Sequence, residues 1–294
     1  MLFLIALIWG GTFVAVKGAL DSVDPLTFLF LRFFIATVIF VLAFSGKLSG
    51  LTRDTLKKGI ILGVLLFLGY AFQTTGLQYT SASKSGFITG LLVVFTPIFQ
   101  WGIERRTPKV GNIIGVVLVS IGLWLLMAPD ESDLNIGDGL TFLCAILFAL
   151  YIVYLDIYSK GQDAIHLTFL QLGVITVLSL IAALGTEEIS ITYSTRFLVG
   201  LGYTGVLATV LTTYLQTRYQ RDTTPTRAAV IFTLEPVFAA VFAYLILKEI
   251  IGLLGLLGGA LIFSGLVVSE LADVLNKFCV KFLGLRFVDR QEEL

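Results

Sequence analysis

Ten blocks of roughly 18–22 mostly apolar residues, separated by short charged connections, constrain this chain more than any other feature. They run 2–19, 26–44, 59–78, 84–103, 110–128, 138–157, 166–184, 197–217, 227–247 and 251–270. An α-helix needs about 20 such residues to cross ~30 Å of hydrocarbon. Strands of a membrane barrel would instead alternate apolar and polar residues over about 10 positions, and no block alternates in that way. The chain is 57% hydrophobic and 14% charged, where a soluble domain is roughly 45–50% apolar and about 25% charged. The sequence therefore predicts an all-α integral membrane protein of about ten transmembrane helices, with no room for a soluble domain.

The first block lacks a basic leader and a small-residue cleavage site, so it reads as a first span starting abruptly at Met1 rather than a cleaved signal. Cys144 and Cys279 give no disulfide framework. Lys and Arg gather in the even-numbered connections and the tail, among them Lys47, Arg53, Arg105, Arg106, Lys160, Arg218 and Arg221. The odd connections hold little beyond Lys17, Arg196 and Lys248, and the fifth is acidic. By the positive-inside rule both termini face the cytoplasm, in the inner (plasma) membrane of the cell. Residues 271–294 are too charged to span; Leu271, Leu275, Phe278 and Phe282 recur at helical spacing among basic residues. That pattern fits a cytoplasmic amphipathic helix on the anionic leaflet, with a partner-binding or partly disordered tail as the alternative.

Sliding the chain by 143 positions lays SASKSGFITGLLVVF on TPTRAAVIFTLEPVF, so that Lys84 meets Arg227 and Phe95 meets Phe238. The same shift puts Gly115 on Gly258 and Gly122 on Gly265. Two units follow, residues 1–128 and 138–270, each of five spans. An odd unit repeated in tandem enters the membrane from opposite sides, which predicts two inverted five-helix repeats of the kind found in secondary transporters.

The stretches IWGGTFVAVK, LQYTSASKSGFITGLLVVFTP and LEPVFAAVFAYLILKE, with the glycine-rich GGALIFSG, resemble the drug/metabolite transporter superfamily. The likeness is to its ten-helix EamA-type members and covers roughly residues 5–270. It implies a central cavity lined mostly by helices 1, 3, 4, 6, 8 and 9. It also implies movement of small polar metabolites, often export of amino acids or related compounds. One departure is that Glu235 has no acidic counterpart: the shift places it on Leu92.

Glu235 stands in an otherwise apolar run, directly before Pro236. A carboxylate at that depth costs at least ~2.5–3.5 kcal/mol unless it faces protein or water. It therefore either bonds a neighbouring helix or lines a cavity, with a proton-linked role conceivable in the second case. Pro236 and Pro97 are candidate hinges. Further polar candidates for a substrate path are Trp9, Thr12, Gln73, Gln78, Tyr79, Ser85, Thr89, Tyr151, Tyr154, Tyr214, Gln216 and Thr233; interfacial belts and interhelical bonds are the competing roles. Lys84 and Arg227, equated by the repeat at opposite faces, are gate candidates unless they snorkel to the headgroups. Arg32 reads as snorkelling or paired locally, and Asp156–Lys160 as a surface ion pair. Gly86-xxx-Gly90, Gly111-xxx-Gly115 and Gly255-xxx-Gly259 read as helix-packing seams within the monomer, or else as a dimer surface.

Enzymatic chemistry finds no support. The single histidine, His166, sits at a span start, which removes HExxH metalloprotease and His-dependent serine chemistry. Ser83-Lys84-Ser85 are sequence neighbours whose side chains point apart on a helix. No catalytic residue, metal site, cofactor or nucleic-acid partner is expected; the partners are a small-molecule substrate and the lipid bilayer, with a monomer or homodimer as the assembly. Joined to the inverted repeat, the resemblance implies an alternating-access exporter of an amino acid or similar metabolite. Uptake or facilitated diffusion is the alternative, and a channel a more distant one.

Overall fold

The computed structural model describes residues 1–127, 134–242 and 252–271, the side chains of Ser83 and Met127 excepted. The tail beyond Leu271, the acidic Asp130, Glu131 and Asp133, and Lys248 lie outside the described residues.

The helices, in chain order, are α1 Leu2–Ala19, α2 Pro25–Lys47, α3 Arg53–Tyr79, α4 Lys84–Glu104, α5 Val110–Met127, α6 Ile136–Ser159, α7 Ala164–Thr186, α8 Thr195–Asp222, α9 Pro225–Phe242 and α10 Leu253–Glu270. Among the described residues, nine are long and apolar enough to cross a membrane, and α5 is a slightly shorter apolar helix. The fold is all-α; the only extended pairing described is the bridge Val23–Ile191.

Polar residues outside the apolar blocks set the helix starts. Thr52, Ser81, Ser194 and Thr224 each accept a hydrogen bond from the backbone N–H three residues on, and Asp163 accepts from Ile165 and His166. Asn135 and Asp138 form a reciprocal capping box at α6. Such caps contribute about 1 kcal/mol each. Pro25 and Pro225 stand at the first positions of α2 and α9, where a missing N–H costs nothing.

Ties between helix ends divide the molecule into two faces. On the amino-terminal face, Gln162 joins Asp54 and Thr55, Gln100 accepts from Thr226, and Arg227 donates to the last carbonyls of α10. On the opposite face, Lys17 donates to the carbonyls of Leu77 and Thr80 at the end of α3. There Glu187 caps α2, accepting at 2.8 Å from Leu26 N, Thr27 N and Thr27 Oγ1. Successive helices therefore run in alternating directions.

α2 packs along α7, α3 along α6 and α7, and α5 along α10. The last contact passes through bare backbone. A Cβ on Gly115 would lie 2.7 Å from Gly265 O, and one on Gly122 would lie 2.7 Å from Gly258 O. Gly265 and Gly258 return the contact, at 2.8 Å from Gly115 O and 2.6 Å from Gly122 O. The Gly255-xxx-Gly259 seam needs correction: a Cβ on Gly259 would meet nothing within 4 Å, and Gly258 makes the approach instead. Gly90 packs on Leu123, while Gly86 and Gly111 are buried. A seam absent from the sequence reading is Gly59-xxx-Gly63, which admits Leu170 and Val174 of α7.

Several helices depart from regular α geometry at mid-length. α1 is interrupted at Gly11, α4 at Leu91 and α9 at Thr233. α4 ends in π-helical turns over Gln100–Glu104, and α8 contains a longer π stretch, Tyr203–Leu211. Pro236 falls in the first turn of the second segment of α9, Leu234–Phe242, a position that needs no N–H donor.

Candidate functional site

The interruptions surround a cavity of about 40 Å³ at the centre of the bundle. Trp9 and Thr12 of α1, Gln73 of α3, Thr89 of α4, Tyr151 of α6, Gln216 of α8 and Glu235 of α9 line it, so seven of the sequence candidates converge there. Apolar walls come from Leu66, Leu92, Phe148, Ile152 and Phe232. Two further residues line it that were not among the path candidates, Arg32 and Tyr70.

Arg32 corrects the expectation that it snorkels or pairs locally. Its side chain turns inward and is 3% exposed. Nε donates to Thr209 Oγ1 at 2.7 Å and Nη2 to Ala208 O at 3.2 Å, both on α8. The guanidinium lies 4.8 Å from the Tyr70 ring centre and 5.4 Å from that of Phe33. Hydrogen bonds and aromatic faces together offset the loss of water around a cation at that depth. An arginine inside an apolar run was the available signal; its nearness to the start of α2 masked it. Tyr70 gave no signal beyond its hydroxyl.

The π turns of α8 make this contact possible. Wide turns loosen the usual backbone pairing, and Ala208 O accepts from Trp9 Nε1 (3.4 Å) and Thr212 Oγ1 (2.8 Å) as well as from Arg32. Thr209 Oγ1 in turn donates to Thr204 O at 2.7 Å.

Glu235 sits in the first turn of the second α9 segment, where a negative charge is favoured by the helix dipole. Its backbone approaches Gly10 so closely that a Cβ there would come within 3.0 Å of Glu235 O. Among the described residues no hydrogen-bond donor or ion-pair partner reaches its carboxylate. Glu235 and Arg32 are the ionisable acid and base of the cavity lining, a carboxyl and a guanidinium in one small, mostly apolar space.

Around this pair the linings are hydrogen-bonded. Gln73 Nε2 donates to Thr89 Oγ1 at 3.3 Å, Tyr151 OH to Gln171 Oε1 at 2.8 Å, and Gln216 Nε2 to Gln220 Oε1 at 2.9 Å. Thr12 Oγ1 donates to Trp9 O, and the Trp9 ring packs 5.3 Å from Phe232.

Other candidates fall elsewhere. Gln78 and Tyr79 are exposed at the end of α3. Tyr154 packs on Tyr158, and Tyr214 on Phe40 and Phe44. Ser85 is buried outside the cavity lining, as is Thr233, whose Oγ1 donates to Val230 O. Pro97 is buried within the second segment of α4. Lys84 and Arg227 stand at opposite faces: Lys84 Nζ pairs with Asp138 Oδ2 at 2.7 Å, joining α4 to α6, and Arg227 joins α9 to α10. Asp156 does pair with Lys160, at 2.6 Å, but the carboxylate is buried rather than at the surface.

Two wider recesses lie away from the centre. One, of about 610 Å³, opens on the amino-terminal face between α4, α6 and the α8–α9 connection. The other, of about 580 Å³, lies between the ends of α1 and the start of α8.

The chain matches known proteins over most of its length. The chain is 37% identical over 271 residues to an uncharacterized transporter of Archaeoglobus fulgidus, covering 92% of this chain and 84% of that one. It is 27% identical to the uncharacterized transporter YoaV of Bacillus subtilis, over 90% of this chain and 94% of the relative. A protein of known crystal structure superposes with a TM-score of 0.77 at 16% identity, covering 93% of this chain and 96% of its own, a likeness of fold alone. The family model for EamA-like transporters matches residues 1–128 and again 135–271. The chain is thus a multi-pass membrane protein that belongs to the EamA-like transporter family.

Proposed function

We propose that this protein is a secondary transporter of small zwitterionic metabolites, foremost amino acids, and that it exports them by alternating access across the inner membrane with both termini cytoplasmic. The observation that carries the proposal is the central cavity, to which Arg32 brings a guanidinium and Glu235 a carboxyl group. A zwitterion offers a carboxylate to the first and an ammonium to the second. Trp9, Gln73, Thr89 and Gln216 supply hydrogen bonds weak enough to be exchanged on release.

A cavity of about 40 Å³ holds only a few waters, at roughly 10–15 Å³ each. The described state is therefore closed around its centre, and substrate enters only as helices move apart. The interruptions in α1, α4 and α9 give places for that bending. Two inverted five-helix halves suit such motion. Support for them comes from the α5–α10 contact, where Gly115 meets Gly265 and Gly122 meets Gly258. Each glycine there faces the repeat counterpart of the other, as a two-fold axis requires. Lys84 on one face and Arg227 on the other act as gate residues in this scheme.

The test is counterflow in proteoliposomes against a panel of labelled amino acids and other metabolites, with and without a pH gradient. A carrier saturates and shows counterflow, whereas a channel gives conductance. Arg32→Ala and Glu235→Gln should each lower zwitterion counterflow by about 100-fold, the loss of one charge-assisted contact of roughly 3 kcal/mol. Unchanged affinity and unchanged pH dependence in Glu235→Gln would remove that residue from both binding and coupling.

A further inference from the structure

Beneath the recess on the amino-terminal face, two carboxyl groups meet. Glu104 ends α4, Asp156 lies near the end of α6, and their side chains are within hydrogen-bonding reach of each other. Glu104 Oε2 and Asp156 Oδ1 are both buried and have no hydrogen-bond partner among the described donors. Asp156 is 1% exposed and borders the recess, and its second oxygen takes Lys160 Nζ at 2.6 Å.

Two ionised carboxylates at that range repel each other, and two acceptors without a donor between them are costly to bury. One proton removes both penalties, and it then belongs to the pair rather than to either residue. A metal cation fits less well, because the Lys160 ammonium already holds the other oxygen of Asp156. The remaining charges facing the pair are Arg105, Arg106 and Lys109, which follow α4 along the recess wall. From the α8–α9 side come the uncharged Thr223, Thr224 and Pro225, while Arg221 is engaged with Ser159 O and Gln162 O.

We infer that Glu104 and Asp156 share a single proton, and that this proton latches α4 to α6 at the amino-terminal end of the transport path. With the proton present, the pair is a carboxyl–carboxylate hydrogen bond that closes the recess floor. When the proton leaves to solvent, the second negative charge drives the carboxylates apart, and water and the neighbouring basic groups stabilise the opened form. Raising the pH therefore loosens this end while leaving the opposite face untouched. A transport path at this end rests on the transporter reading; the proton site does not.

Two measurements on the full chain in lipid nanodiscs test this without any transport assay. Infrared difference spectra across a pH titration should show a carboxylic-acid C=O band that shifts in D2O and vanishes at high pH. Glu104→Gln and Asp156→Asn should each delete that band, and Glu235→Gln should keep it. In parallel, Thr223→Cys on the recess wall should react with a thiol reagent about tenfold faster above the infrared transition than below it, the release of a contact worth one decade in population. Adding Glu104→Gln, whose amide donates without titrating, should make that rate independent of pH. An acid band of equal size in Glu104→Gln and the unsubstituted chain would overturn the inference, and so would a labelling rate that follows sodium rather than pH. Loss of counterflow with an intact band would sink the transporter reading alone.

Discussion

Removing the Lys84 ammonium should open the face opposite the amino terminus. Lys84 Nζ lies 2.7 Å from Asp138 Oδ2, with the two side chains 10% and 4% exposed, so the pair sits in protein rather than water. Breaking such a pair by deleting one partner costs about 3–5 kcal/mol. Asp138 keeps two donors after Lys84→Met, Thr80 Oγ1 at 2.7 Å and Asn135 N at 3.0 Å, which places the cost near the lower end. At 1.4 kcal/mol per decade, about 3 kcal/mol corresponds to roughly 100-fold in the balance between this closed state and one open at that face. The assay places Thr12→Cys in the cavity wall and follows its labelling by an impermeant thiol reagent applied from the side opposite the amino terminus. Lys84→Met and Asp138→Asn should both accelerate labelling, Lys84→Met by up to ~100-fold. The double substitution, which leaves no orphaned charge, should fall well short of the sum of the two. Equal labelling in the parent and both single variants, all eluting as intact protein, would refute the gate.

Backbone contact between α5 and α10 sets up a paired test. Gly258→Ala would put a Cβ 2.4 Å from Leu126 N and 2.6 Å from Gly122 O, costing about 1–3 kcal/mol and lowering the thermal-unfolding midpoint in detergent. Gly259→Ala, with nothing within 4 Å, should be neutral or raise it through the ~0.5–1 kcal/mol helix preference for alanine; equal effects of the two would contradict the packing. Glu187→Ala removes the remote cap of α2 and should cost about 1–2 kcal/mol. It should speed amide hydrogen exchange at Leu26 and Thr27, and unchanged protection there would show that the cap carries no weight.

The helices were legible because hydrocarbon imposes length and polarity together. The expected α1, 2–19, matches Leu2–Ala19, and the expected α4, 84–103, is one residue short. Boundaries drifted where a helix runs past the apolar block into solvent. α3 begins at Arg53 rather than 59, because Thr52 caps a polar turn that hydropathy ignores, and α8 reaches Asp222 rather than 217. The site was half legible. Glu235 stood out as a lone charge, and the cavity gathers it with six other polar candidates. Arg32 was misread because distance from the helix end is a poor guide to the direction of a side chain. Its partners, Ala208 O and Thr209 Oγ1, depend on a local winding of α8 with no residue signature: YTGVLATVL contains neither proline nor charge. Asp156 read as half of a surface ion pair and Glu104 drew no notice, because nothing in their spacing along the chain brings α4 and α6 together.

That winding has a consequence for how the chain tolerates length changes. A helix coiled as in Tyr203–Leu211 carries more residues per turn than its neighbours, so it behaves as though extra residues had been spliced into an ordinary rod. Excising one residue there would let α8 relax to regular coiling without shortening its reach across the bilayer by much. The rotation would swing Ala208 and Thr209 away from the guanidinium they hold, leaving the arginine to seek a different anchor.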